Sequence, residues 1–295
     1  MAVASEAAAA VAIVEAAATV AGVILRSHLF GAAKEAMSEL IAVTRDGPIA
    51  TVVLNRPEKL NALTKAMWSD LGAAIAALSA DDALRCVIVR GAGDKAFSPG
   101  NDIGEFSVAR SNKAQAIDYG RVMHATAKSL SECRHPLVAQ IHGVCVGGGL
   151  EIAALCDIRI CGRSSRFGAP IKNLGLVMAY PEMAPLVRLV GPDVALEILL
   201  EGRIFDAAEA KEKRLVSRVV ADDQVAAEAL ATAQRIAEGA PLVARWHKRF
   251  ARRLADPLPI TAAEYDECFD CFDTEDFRIG YAAFLAKRMP KFVGR

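Results

Sequence analysis

An α/β architecture with a helical C-terminal region is predicted by three features of the 295-residue chain. β-Branched and aliphatic runs that end in turn residues alternate with amphipathic helical patterns as far as Ala221. Strand signals then stop, and four helical stretches follow, separated by Gly239 and the Pro257/Pro259 pair. Such alternation covers both faces of a sheet with helices. Lys plus Arg and Asp plus Glu each number 35, so no overall field favours nucleic acid or an anionic membrane, and any anionic ligand must be held by local charges. The seven cysteines are irregularly spaced and mostly lie in apolar runs, which suits buried thiols in the reducing cytoplasm better than a disulfide framework. Cys268 and Cys271 form a CxxC without a second pair or suitably spaced histidines, so no metal site is expected.

The chain divides into an alanine-rich extension (1–37), a core (38–236) and the helical region (237–295). From Ala7 to Leu25 the extension is nearly all alanine and aliphatic residues, interrupted by Glu15 and lacking a basic segment ahead of it, which disfavours a signal peptide. Two readings stay open for it: an accessory or upstream-start segment, or a membrane-associating helix. No membrane is expected for the core.

Taken in order, Ile49 to Leu54 reads as a strand stopped by Pro57, and Thr64 opens a helix in which Met67, Leu71, Ile75 and Leu78 repeat at helical spacing. Cys86 to Arg90 is a strand ending in the turn Gly91-Ala92-Gly93-Asp94. Val138 to Val146 reads as one strand leading through Gly147-Gly148-Gly149 into a helix, and Ile158 to Cys161 and Val216 to Val220 as later strands. The closing helices are expected over 223–238, 241–255, 261–272 and 275–288.

The chemistry concentrates in two glycine-containing segments, Lys95 to Ile103 and His142 to Glu151, each after a strand and before helical sequence. Glycines at a strand-to-helix turn leave N–H groups unpaired and aim the positive end of a helix dipole forward, a device that binds oxyanions. The segments lack the lysine and hydroxyl residue of a phosphate loop and do not fit the GxGxxG spacing.

Asn55-Arg56-Pro57 with Asn61-Ala62-Leu63, Ala96-Phe97-x-x-Gly100-x-Asp102-Ile103, Gly147-Gly148-Gly149-x-Glu151 with Cys156-Asp157, and Phe167-Gly168-x-Pro170 together resemble, in order and spacing, the enoyl-CoA hydratase/isomerase (crotonase) family. The resemblance runs from about Leu40 to Arg295. It implies a crotonase-like spiral of repeated ββα units with C-terminal helices that build homotrimers or homohexamers, acting on an acyl-CoA substrate with no separate cofactor.

The resemblance places the oxyanion hole on the backbone N–H groups of Asn101 and Gly148, where two donors stabilise the enolate of a thioester. Glu151 resembles one of two catalytic glutamates. Its place in the first turn of a helix tends to hold it ionised unless burial opposes this. The second glutamate position is occupied by Ile171, and an aspartate position used by other relatives by Ala179, neither of which can move a proton. Tyr180 and Glu182, flanking Pro181, are candidate replacement acids or bases; alternatively Pro181 and Glu182 merely start a helix. Coenzyme A is expected at the backbone of Lys95, Ala96 and Phe97, at Lys59, and at Phe284 and Lys287, the last two sometimes serving a neighbouring subunit. Asp102 is expected to cap a helix, Asp157 to fix a turn, and His142 to be structural. Three functions remain open: a hydratase or isomerase; a divergent member performing decarboxylation or C–C cleavage, which the missing glutamate favours; and a non-catalytic acyl-CoA binder.

Overall fold

Ten strands form two sheets within residues 40–295, the part of the chain that the computed structural model describes. The extension 1–37, and both readings of it, lie outside the described residues. The larger sheet has the order β1 (Ile41–Asp46), β2 (Ile49–Leu54), β3 (Cys86–Gly91), β5 (Leu137–Ile141), β7 (Ile158–Gly162), β10 (Arg218–Val220). Its pairs are parallel except the β1/β2 hairpin. The smaller sheet runs β4 (Ala96–Ser98), β6 (Val144–Val146), β8 (Arg166–Gly168), β9 (Phe205–Asp206).

Strands alternate between the sheets before each helix. β3 and β4 precede α2 (Lys113–Glu132), β5 and β6 precede α3 (Gly148–Leu155), and β7 and β8 precede α4 (Tyr180–Glu201). This is the ββα repeat expected of the crotonase spiral. The single strand expected over Val138–Val146 is instead β5 and β6, one in each sheet. Gly143 makes the turn between them. Its φ is +54°, and a Cβ there would meet the Lys95 carbonyl oxygen at 1.8 Å, so only glycine lets the chain change sheets here.

Both faces of the larger sheet are covered. Val87 and Val89 of β3 join the main core with Trp68, Leu71 and Ile75 of α1 (Lys65–Ala80), whereas Cys86 and Ile88 face Ala229, Ala233 and Ala237 of α6 (Val225–Ala237). The period of two along the strand sends alternate residues to opposite helical layers. Between α4 and α6, the short α5 (Ala207–Glu212) follows β9.

The C-terminal region consists of α7 (Pro241–Arg253), α8 (Ala262–Glu267) and α9 (Glu275–Leu285). The helix expected over 261–272 stops at Glu267, and a 3-10 turn, Asp270–Asp273, leads to Thr274, whose hydroxyl caps α9 by accepting from the Phe277 amide at 3.0 Å. Asp157 anchors this region: it accepts from Leu137 N at 2.7 Å and pairs with Lys248 at 2.7 Å and Arg252 at 3.1 Å.

His135 is fully buried beside this anchor, with Nε2 3.0 Å from the Asp81 carbonyl oxygen. Burial, helped by neighbouring Arg245 and Arg134, pushes its pKa down from 6.5 to about 4. The folded state therefore binds fewer protons than the unfolded chain between these values, and stability falls as the pH drops from about 6.5 toward about 4. A His135→Gln variant is expected to lose that segment of acid sensitivity, read as the pH dependence of the melting temperature.

Candidate active site

The loop from Ser98 to Asp102 is fastened to the segment before α1. Leu63 donates to Gly100 O and accepts from Asp102 N, both at 2.8 Å, in a parallel bridge. That bridge turns the intervening Asn101 N–H away from Leu63. Asn61, buried with φ +65°, donates to Ala92 O at 3.1 Å and Ala96 O at 2.8 Å and accepts from Arg56 N at 3.1 Å. Arg56 reaches Asp102 at 2.7 Å, and Asp102 caps the next turn through Gly104 N at 2.9 Å. Burial would raise the Asp102 pKa, but these bonds to Arg56 and Gly104 outweigh it and hold the carboxylate ionised. The motif Asn-Arg-Pro with Asn-Ala-Leu is thus a clamp for the loop 98–102.

Gly100 lets this loop meet the start of α3. With φ +100°, it has no space for a side chain, since a Cβ would lie 2.7 Å from Gly148 N. A Cβ on Gly148 would come within 2.9 Å of the Trp68 ring and 3.6 Å of Asn101 Oδ1. The amides of Asn101 and Gly148 find no acceptor among the described residues. The Asn101 side chain is occupied elsewhere, accepting from Trp68 Nε1 at 2.6 Å and lying 3.7 Å from Met123 Sδ. What it offers a ligand is therefore its backbone N–H.

Glu151 stands in the first turn of α3, only 4% exposed, and its Oε1 is buried without a hydrogen-bond partner. Burial raises its pKa well above the usual carboxylate range, and the charge of Glu182 raises it further against the opposing pull of Arg110. The helix-end effect expected to keep Glu151 ionised is outweighed by desolvation.

Glu182 has two sets of contacts. It starts α4, accepting from Ala179 N at 3.2 Å through one oxygen, and it also faces inward, buried, with its other oxygen 3.2 Å from His124 Nε2. Tyr180 is 91% exposed at the first position of α4, and the structure does not bring it to Glu151. Ile171 packs against the main core.

Among the residues expected to hold coenzyme A, Ala96 and Phe97 are buried in β4, Lys95 is exposed just before it, and Lys59 is exposed in the 3-10 turn Pro57–Lys59. Phe284, 81% exposed, and Lys287, just past α9, lie on the C-terminal region. His124, Trp68, Met123 and Arg110 had not been identified from sequence. Met123, spaced from Tyr119, Ala127 and Leu130, and Trp68, spaced from Leu71 and Ile75, carry a periodic signal as parts of buried helical stripes, and His124 and Arg110 carry none.

A family model described as Enoyl-CoA hydratase/isomerase matches residues 44–295. The chain belongs to the enoyl-CoA hydratase/isomerase family. It is 35% identical over 263 residues to a Rhizobium meliloti protein described as "Probable enoyl-CoA hydratase", covering 87% of this chain and 99% of that one. To the "Crotonyl-CoA hydratase" of Syntrophomonas wolfei it is 30% identical over 259 residues, with 87% and 99% covered. The solved structure of "an enoyl-CoA hydratase/ carnithine racemase" from Magnetospirillum magneticum superimposes with a TM-score of 0.86 at 54% identity, covering 87% of this chain and 96% of that chain. As a member of the hydratase/isomerase family the protein is an enzyme, and its fold is the crotonase fold of these relatives.

Proposed function

We propose that the protein adds water across the double bond of an α,β-unsaturated acyl-CoA thioester. The observation that carries this reading is the pairing of Glu151 with Glu182. Each carboxyl is buried, they come from different helices, and the charge of one raises the pKa of the other. Two carboxyl groups in one site can divide acid and base roles. Glu151, held protonated, delivers its proton to the α-carbon. Glu182 takes a proton from the water whose oxygen bonds the β-carbon. Between the two steps the thioester oxygen carries the enolate charge, stabilised by the N–H groups of Asn101 and Gly148. The balance is one water consumed, with one proton given by Glu151 and one gained by Glu182, and solvent exchange restores both.

His124 is a positioning residue here, holding one Glu182 oxygen while the Ala179 amide holds the other. Coenzyme A is read as lying along β4, with Lys59 and Lys95 near its phosphates as point charges. The active form is read as a homotrimer or a pair of trimers, formed through the exposed apolar residues Tyr265, Phe269, Phe272, Tyr281 and Phe284. In that assembly Phe284 and Lys287 reach a neighbour's coenzyme A. No helix among the described residues is long and apolar enough to cross a membrane, and the reading adopts a cytoplasmic setting.

The test is turnover of crotonyl-CoA by wild type and Glu182→Gln. Hydration that falls by about a hundredfold or more in the variant supports a two-carboxylate mechanism. Full hydration by the variant would contradict the two-carboxylate mechanism, whereas a wild type that hydrates no crotonyl-CoA but shifts its double bond would point to isomerisation. Acyl-CoA binding without turnover by the wild type would point to a binding protein.

A further inference from the structure

The segment after the oxyanion loop carries a cation with no anion of its own. Arg110 follows the one-turn helix Phe106–Ala109, and its amide donates to Phe106 O at 3.0 Å. Its guanidinium carbon lies 5.1 Å from the centre of the Phe106 ring and 5.3 Å from that of Tyr119, two rings packed edge to face at 6.3 Å. Aromatic faces hold a guanidinium in place without neutralising it. The Nε is buried and donates to nothing, and no carboxylate among the described residues lies within 4.0 Å of the group. Buried donors of this kind are rarely left without an acceptor.

The cradle sits at the proton-transfer end of the site. Tyr119 and Met123 are successive buried residues on one face of α2; Met123 meets the Asn101 side chain, and the adjacent His124 holds Glu182. Arg110 thus packs on Tyr119, one turn along α2 from Met123, the residue that meets the Asn101 side chain. Its charge also opposes that of Glu182 at the Glu151 carboxyl. The residues read as facing coenzyme A phosphates, Lys59 and Lys95, belong to other segments.

We propose that Arg110 receives a carboxylate carried on the acyl chain, so that the preferred substrates are coenzyme A monothioesters of unsaturated dicarboxylic acids. This rests on the reading of the site as an acyl-CoA hydratase, and it names the substrate class. A neutral acyl chain leaves the guanidinium unpaired, whereas a chain ending in carboxylate supplies the missing acceptor through charge-assisted hydrogen bonds to a planar fork.

Binding of two saturated, unreactive ligands tests this apart from hydration: glutaryl-CoA, which carries the extra carboxylate, and butyryl-CoA, which does not. Calorimetric titration of the wild type is expected to favour glutaryl-CoA by about tenfold or more, the worth of one charge-assisted hydrogen bond. In Arg110→Met the ratio of affinities collapses toward one, and Arg110→Lys keeps part of it. Equal affinities in the wild type overturn the proposal without reference to any variant. A ratio unchanged in Arg110→Met, with both ligands weakened alike, also overturns it and places the guanidinium on coenzyme A or on Glu151 alone. A retained preference for glutaryl-CoA in a protein that hydrates neither crotonyl-CoA nor glutaconyl-CoA sinks the hydratase reading and leaves this one standing.

Discussion

Replacing Glu151 with glutamine is expected to lower hydration by about a hundred- to ten-thousand-fold while making the folded protein more resistant to heat. The two effects share a cause. Burial, reinforced by Glu182, raises the Glu151 pKa well above its usual 4.5, so the folded state keeps a proton that the unfolded chain gives up. The stability associated with this proton is fully present below pH 4.5 and is lost as the pH rises from there toward the folded pKa. Glutamine is neutral at every pH and escapes that loss. The melting temperatures of variant and wild type should converge near pH 4.5 and separate as the pH rises, with the inactive variant the more stable. An opposite separation, with the variant weaker at high pH, would mean that the carboxyl is held by a partner in the fold rather than kept free for catalysis.

Gly100→Ala is expected to reduce turnover by about a hundred- to a thousand-fold, through backbone geometry alone. The new methyl would have to occupy a place 2.7 Å from Gly148 N and 3.1 Å from the Val146 carbonyl oxygen, at a φ of +100° that side chains rarely adopt. The loop must move, and it carries the Asn101 amide with it. Because both ground state and enolate contact this amide, but the enolate carries the charge, the fall should appear mainly in kcat with a smaller change in KM. Titrated binding of butyryl-CoA, together with circular dichroism, separates this outcome from unfolding. A variant with unchanged kcat would show that the Asn101 N–H is not needed at the thioester oxygen.

The close approach of the two glycine-containing segments was legible because a backbone that passes close to another backbone leaves a glycine at a definable place in the sequence. Gly100 and Gly149 are of this kind, since a Cβ on Gly100 would meet Gly148 N at 2.7 Å and one on Gly149 would meet Ser98 O at 2.2 Å. The strand break at Gly143 depends on the same physics, yet it was hidden by apolar residues on both sides, which read equally well as one strand. Glu182 was half legible. A proline and a glutamate opening a helix look alike in sequence whether the carboxyl only caps the backbone or also turns inward, and here it does both. The glutamate position occupied by Ile171 favours a divergent reaction, and the two-carboxylate proposal instead uses Glu182, whose charge acts on Glu151 from the next helix. His124 and Arg110 left no pattern, because neither sits at a fixed spacing from the residues it serves. His124 reaches Glu182 across the packing of α2 on α4, and Arg110 depends on two aromatic rings, only one of which is near it in sequence. Similarly, α2 was not foreseen: its buried stripe of Tyr119, Met123, Thr126, Ala127 and Leu130 is sparse in aliphatic residues, although its spacing is helical.

The central claim is that Glu151 exchanges a proton with the α-carbon of a thioester whose oxygen is held by the Asn101 and Gly148 amides. α-Proton exchange of butyryl-CoA in deuterated water tests it most directly, since the saturated chain offers no double bond to hydrate and isolates enolate formation. The account predicts exchange by the wild type, retained exchange in Glu182→Gln, and none above background in Glu151→Gln. Bound butyryl-CoA with no exchange in the wild type, or exchange that survives in Glu151→Gln, would contradict it.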